Sequence, residues 1–202
     1  MLNDDEKSKL LEAFRQKLKT DLLPPCEFAE GLVFGEGRPE TRLVLVGEAP
    51  GEQEERQGRP FVGRSGQLLR RTLEAAGISP EDVWITNVVK CRPTVVQAGR
   101  RSNRAPTWRE AQAWLPHLMD ELEILRPQAI ICLGNLAARA LIQKDFKMTE
   151  GRGKWHPGPF GSHVLATYHP SYVLRQIGPQ AEVVRNQFRD DIAEAGRGGR
   201  AR

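Results

Sequence analysis

Four short apolar runs constrain this chain more than anything else in it: residues 43–47 (LVLVG), 83–89 (VWITNVV), 129–133 (AIICL) and 163–168 (HVLATY). They are continuous rather than alternating, so each buries side chains on both faces, which is the mark of a mainly parallel sheet covered by helices on either side. Between them lie helical patterns at about 65–76, ending at Gly77, then at 108–125, 135–143 and about 180–195. Strand and helix in alternation predict an α/β chain, a three-layer α/β/α sandwich around a short, mainly parallel four-stranded sheet. A further helix is expected over 4–20, where Leu10, Leu11, Phe14 and Leu18 share a face and Pro24-Pro25 stops the run. Thr107 and Glu110 have capping-box spacing, and Pro116 inside that helix predicts a kink or a late start.

With 202 residues and 39% hydrophobic content the chain has material for one sizeable core. Residues 1–195 are therefore read as a single domain and the Gly/Arg-rich 196–202 as a disordered basic tail. No apolar stretch is long enough to span a bilayer and no leader pattern is present, so a cytoplasmic protein without membrane contact is expected. Three cysteines, Cys26, Cys91 and Cys132, are odd in number and widely spaced, which argues against a disulfide framework. The net charge of +4 is carried largely by Arg197, Arg200 and Arg202, so any anionic partner must be argued from local placement.

In a sheet of this kind the ligand crevice lies beyond the carboxyl ends of the strands. That edge receives Glu48 after the first strand, Asn87 at the end of the second, Gly134-Asn135 after the third and His169 after the fourth. The loop following the first strand, GEAPGEQEERQGRPFVGRSG, adds carboxylates and places Phe61 near Gly58 and Gly63, where a ring and backbone can approach a planar ligand closely. Asn87 is polar where a buried strand favours apolar residues, and its amide both donates and accepts, as reading the edge of a base requires. His169 can donate to a developing oxyanion or act as a general acid. Glu52 and Glu55 read as solvated loop residues, and His117, His156 and His163 as structural. Neither G-x-G-x-x-G nor the P-loop pattern occurs. Basic residues near the edge, among them Arg59, Arg64, Lys90, Arg92, Arg104, Arg152 and Lys154, suggest a surface that grips phosphates.

Taken together, GEAPGEQEERQGRPFVGRSGQLL, TNVVKCRP followed by NRAP, RGKW and HPSYVLR resemble the iron–sulfur uracil-DNA glycosylases, family 4 of their superfamily. The resemblance runs in order from about residue 32 to 175. It implies an enzyme that flips uracil out of single- or double-stranded DNA and hydrolyses its N-glycosidic bond, opening base-excision repair as a monomer without an obligatory protein partner. By the same resemblance Phe61 stacks on uracil, Asn87 reads its polar edge beside Ala49, and His169 stabilises negative charge on the departing base. Glu48 and Glu54 line the pocket; which of them orients water stays open, and Glu54 has the alternative role of a steric gate against the thymine methyl. Arg64, Ser65, Lys154 and Ser171 are implied in DNA contact, and Val173, Leu174 and Arg175 in wedging the duplex.

The family holds its cluster with four cysteines. Here Cys91 and Cys26 match two of those positions, but Leu23 and Trp114 stand at the others, and about nine extra residues, Thr94 to Ser102, lie between KCRP and NRAP. Two thiolates do not satisfy a four-iron cluster. The sequence therefore predicts no metal and no cofactor, with Cys26 and Cys91 as remnants of the ligand set. A non-catalytic or altered-substrate DNA-damage-binding member of the superfamily is the alternative, and a hydrolase of free nucleosides a third reading.

Overall fold

The computed structural model describes residues 2–20 and 31–201, with side chains described as far as Arg197. Leu23, Pro24-Pro25 and Cys26 lie outside the described residues. Helix α1 (Asp4–Thr20) comes first, with acidic residues in its first turn and lysines in its last, as the helix dipole favours. Then follow β1 (Leu43–Gly47), α2 (Glu52–Gln57), α3 (Arg64–Ala75), β2 (Val83–Asn87), β3 (Thr94–Gln97), β4 (Arg100–Asn103), α4 (Trp108–Leu125), β5 (Ala129–Leu133), α5 (Asn135–Leu141), α6 (Met148–Gly151), β6 (Trp155–Pro157), β7 (His163–Thr167), α7 (Pro170–Arg175) and α8 (Pro179–Ala201).

The main sheet has the order β2-β1-β5-β7-β6, with β2, β1, β5 and β7 parallel and β6 antiparallel at one edge. It has five strands where the sequence suggested four, because β6 is only three residues long and half exposed, too short to carry a period. Every residue of β1, β2 and β5 is buried. Successive side chains serve opposite faces. Val44, Val46, Trp84, Ile130 and Cys132 pack with Leu118 and Leu122 of α4 and Leu11 and Phe14 of α1. Leu43, Leu45, Ile85 and Ile131 pack with Leu69 and Leu73 of α3 and Phe188 and Ile192 of α8. Two helical layers therefore enclose the sheet.

Thr107 caps α4 by accepting from the Glu110 N–H at 3.2 Å while a Glu110 oxygen accepts from the Thr107 N–H at 2.7 Å. The helix thus starts at the cap rather than late, and Pro116 lies within it. The tail from Gly196, expected to lack structure, continues α8 to Ala201. The inserted residues form a separate two-stranded antiparallel hairpin, β3–β4. Among the described residues no helix is long and apolar enough to cross a membrane.

Buried between the sheet and α4 is an ion pair. Lys90 Nζ, fully buried, donates to Glu121 Oε2 at 2.6 Å, to Thr86 Oγ1 at 2.6 Å and to the Asn87 carbonyl at 2.8 Å. Glu121 also accepts from Trp84 Nε1 and Thr86 Oγ1, each at 3.0 Å. The charges are satisfied where an unpaired one would be costly.

Candidate active site

The carboxyl ends of the parallel strands open on one cavity of about 630 Å³. Glu48, Ala49, Glu54, Phe61, Arg64, Ser65, Asn87, His169, Ser171 and Arg175 all line it, so residues up to 127 positions apart meet in one place. The topology explains the meeting: β1 lies between β2 and β5, and β7 is the next strand, so adjacent strand ends feed adjacent loops.

Asn87, at the end of β2, is 2% exposed, and its carboxamide makes no hydrogen bond among the described residues, leaving donor and acceptor for a ligand. Its backbone is fixed instead: Lys90 holds its carbonyl, and the next N–H, that of Val88, donates to the Gly47 carbonyl at 2.9 Å. Gly47 is squeezed between the Asn87 amide oxygen and the Phe61 ring, and a Cβ there would displace both. Phe61 reaches this position with φ 52°, left-handed backbone that costs a non-glycine residue roughly 1 kcal/mol. Its ring lies 5.9 Å from that of His169, tilted by 31°, and is 5% exposed.

His169 is the N-cap of α7, with Pro170 at the first helical position. Its Nδ1 accepts from the Ser171 N–H at 3.1 Å and contacts Ser171 Oγ at 2.7 Å. An amide N–H only donates, so Nδ1 carries a lone pair and the ring proton of the neutral imidazole resides on Nε2. Burial, followed by the positive charge of Arg175, lowers the pKa from 6.5 to about 4. At neutral pH the ring is an uncharged Nε2–H donor.

The two carboxylates differ. Glu48 Oε1 accepts from the Leu136 N–H at 3.0 Å, at the start of α5. Gly134, at φ 105°, leaves room for this carboxylate where any side chain would collide with it. Burial raises the Glu48 pKa, opposed by the Leu136 N–H, by Arg175 and by the Asn135 N–H. Glu54 instead uses both oxygens on its own loop, accepting from Gly63 N–H at 2.8 Å and Gly51 N–H at 3.2 Å. It ties the two ends of the α2 loop together.

Lys154 and Leu174, expected in DNA contact, lie outside the cavity lining. Other expectations need correcting. Val173, expected to wedge the duplex, is 1% exposed, packed in the same cluster as Leu69 and Phe188. The turn of α7 points Val173 inward and leaves Tyr172 and Leu174 outside, so Val173 is a core residue and not a free wedge. Lys90 and Arg92, read as phosphate-gripping, are buried in ion pairs. Arg59 pairs with Glu36 and Arg152 with Asp191. Glu55, read as solvated, has a side chain only 2% exposed and accepts from Arg92 Nη1 at 3.1 Å and Arg101 Nη2 at 2.7 Å. Its partners lie 37 and 46 residues away, so no local pattern marks them. Gly51, Gln53 and the stretch Asn103 to Pro106 also line the cavity. The NRAP motif is visible in the sequence, but only the fold gives it that place.

The cluster positions do not fit a four-iron group. Trp114 is fully buried in the core, its Nε1–H without a hydrogen-bond partner among the described residues, and an indole supplies no thiolate. Cys91 is fully buried with its sulfur in a disulfide, against the expectation from cysteine spacing. Cys132 is a free thiol buried in β5, its pKa pushed up by burial.

This fold and cavity place the chain among α/β proteins whose ligand crevice lies beyond the carboxyl ends of their parallel strands. The chain belongs to the uracil DNA glycosylase superfamily, whose family model matches residues 34–192. It is 38% identical over 191 residues to the type-4 uracil-DNA glycosylase of Thermotoga maritima, covering 94% of each chain. Its identity to the type-4 uracil-DNA glycosylase of Pyrobaculum aerophilum is also 38%, over 180 residues and 86% of each chain. The type-5 uracil-DNA glycosylase of Thermus thermophilus is 33% identical over 185 residues, 82% of this chain and 79% of the relative.

Proposed function

We propose that this protein is a uracil-DNA glycosylase that binds uracil extruded from DNA and hydrolyses its N-glycosidic bond. The observation that carries the reading is the meeting of a free Asn87 carboxamide, the Phe61 ring and a neutral His169 donor in one cavity. Uracil offers the Asn87 amide an N–H and a carbonyl side by side, whereas cytosine reverses that pattern and leaves the amide mismatched. Phe61 covers the face of the base. As the bond to the sugar breaks, negative charge grows on the base, and the Nε2–H of His169 donates to the carbonyl oxygen that receives it. The sugar becomes oxocarbenium-like, and a carboxylate near it lowers the barrier by stabilising that charge and orienting the attacking water. We assign this role to Glu48, because both Glu54 oxygens are occupied by backbone N–H groups. The water oxygen becomes bonded to the sugar carbon, one proton passes to the carboxylate, and uracil leaves with the bonding pair.

Residues 1–195 act as a single domain in this reading, on uracil-containing DNA. Arg64, Ser65, Ser171 and Arg175 at the cavity mouth, with Lys154 and Leu174 outside it, meet the DNA backbone and the gap left by the extruded base. The enzyme works without a cluster, given the donor set at the aligned positions. Anaerobically purified protein should therefore contain no stoichiometric iron, and a broad visible absorbance band with matching iron content would overturn that. The functional reading is tested by incubating oligonucleotides carrying one uracil with the protein and cleaving abasic sites with alkali. Strand scission at the uracil is expected. Binding without scission would instead mark a damage-binding member of the superfamily.

A further inference from the structure

We propose that the β3–β4 hairpin is a DNA-backbone-binding arm, joined to the rim of the base cavity and held rigid by Glu55. The proposal rests on the reading of the protein as a DNA glycosylase. The hairpin closes through Ala98 and Gly99, with φ of 48° and 73°, a two-residue turn that matches the twist of paired strands. Two strands alone are marginally stable in water, so the hairpin depends on what anchors it. Glu55 of α2 accepts from Arg101 of β4 and from Arg92 just before β3. Arg92 Nε donates to Asn103 Oδ1 at 2.6 Å, and Arg104 Nε to the Thr94 carbonyl at 3.1 Å.

These anchors sort the two faces of the hairpin. Thr94, Val96, Arg101 and Asn103 share one face, and Arg101 and Asn103 turn it towards the body. Val95, Gln97, Arg100 and Ser102 share the other, all exposed, and Arg100 has no ion-pair partner among the described residues. Val95, on the same face as Arg100, is 36% exposed.

Charge and continuity name the occupant. From Arg92 to Arg109 there are five arginines and no Asp or Glu; Arg92, Arg101 and Arg104 are engaged by Glu55 and Glu110, which leaves Arg100 on the exposed face as the group complementary to phosphate. Its foot is already in the site, since Asn103 and Arg104 line the base cavity. Arg92 holds Asn103 Oδ1, which orients the Asn103 amide so that Nδ2 is the group left to donate, towards sugar and phosphate oxygens of the extruded nucleotide. The strand beside that nucleotide then runs past Val95 to Arg100 on the outward face of the hairpin, where a phosphate pairs with the guanidinium.

The test uses the full chain with Arg100→Ser and Val95→Ser combined, and Arg100→Lys as the conservative variant. Affinity for uracil-free DNA is read by fluorescence anisotropy across a salt series. Losing one phosphate contact should weaken binding about three- to tenfold at low salt and flatten the log–log salt slope by about 1, with Arg100→Lys retaining the slope. For excision, the ratio of variant to wild-type KM should grow as uracil oligonucleotides lengthen from trinucleotide upwards. Equal salt slopes, a loss shared by Arg100→Lys, or a KM ratio independent of length would overturn the proposal. Altered binding in a protein that excises no uracil would leave the arm intact and refute the glycosylase reading instead.

Discussion

At His169 one hydrogen bond decides the chemistry available to the ring. The Ser171 N–H occupies Nδ1, so the proton sits on Nε2, and burial keeps the imidazole neutral down to about pH 4. A neutral donor suits the task, because the uracil oxygen becomes strongly basic only as the bond breaks and the hydrogen bond strengthens with it. Glu48 has the opposite requirement: it must be ionised to hold water, yet burial raises its pKa. Arg175 acts on both groups, since its positive charge favours the Glu48 carboxylate and disfavours imidazolium at His169. Replacing Arg175 by Gln removes that charge, so both pKa values rise. The carboxylate is then lost at a higher pH as the solution is acidified. The acid limb of the kcat/KM profile on a uracil oligonucleotide is expected to move upward, by up to about one pH unit. A limb that stays in place or moves downward would contradict the assignment of Glu48.

At the scale of elements, β2 and α4 are joined by charge as well as by packing. Lys90 reaches from just beyond β2 into the layer between sheet and helix, binds Glu121 of α4, and holds the carbonyl of Asn87. Lys90→Met strands a buried carboxylate and should cost about 3–5 kcal/mol, read as a lower urea midpoint. Adding Glu121→Met should recover only part of the loss, because Trp84 and Thr86 then lose their acceptor. A Lys90→Met protein as stable as wild type would show that the pair is dispensable. The sequence could not display this link: Lys90 and Glu121 are 31 residues apart, and each alone reads as a surface residue. Elements set by their own residues were legible. LVLVG and AIICL form strands over their full predicted length, and Thr107 with Glu110 fixes the start of α4. Short elements fixed by tertiary contacts were not, as with α2, whose Glu55 reads as solvated until Arg92 and Arg101 are in place.

Across the whole molecule, four parallel strands end on one edge and each supplies that edge or the loop beyond it. Strand order was not readable from the sequence, but the convergence was, because any doubly covered parallel sheet presents its carboxyl ends together. Hence Glu48, Phe61, Asn87 and His169, read from the sequence as meeting at one edge, line one cavity, while Val173 packs inward, since the direction in which α7 turns is set by its packing on α3 and α8. The cluster positions stand apart from this edge in the chemistry they offer: Trp114 contributes core volume where a thiolate would be needed. The proposed chemistry is that the cavity breaks the bond to uracil with Asn87 reading the base and His169 stabilising its departure. Single-turnover excision, with protein in excess over a single-uracil oligonucleotide, measures it most directly. Wild-type protein should convert the uracil site to an alkali-labile one, and His169→Ala and Asn87→Ala should each slow that step about 10²–10³-fold while still binding DNA. Intact strands with wild-type protein, or variants that excise at the wild-type rate, would contradict it.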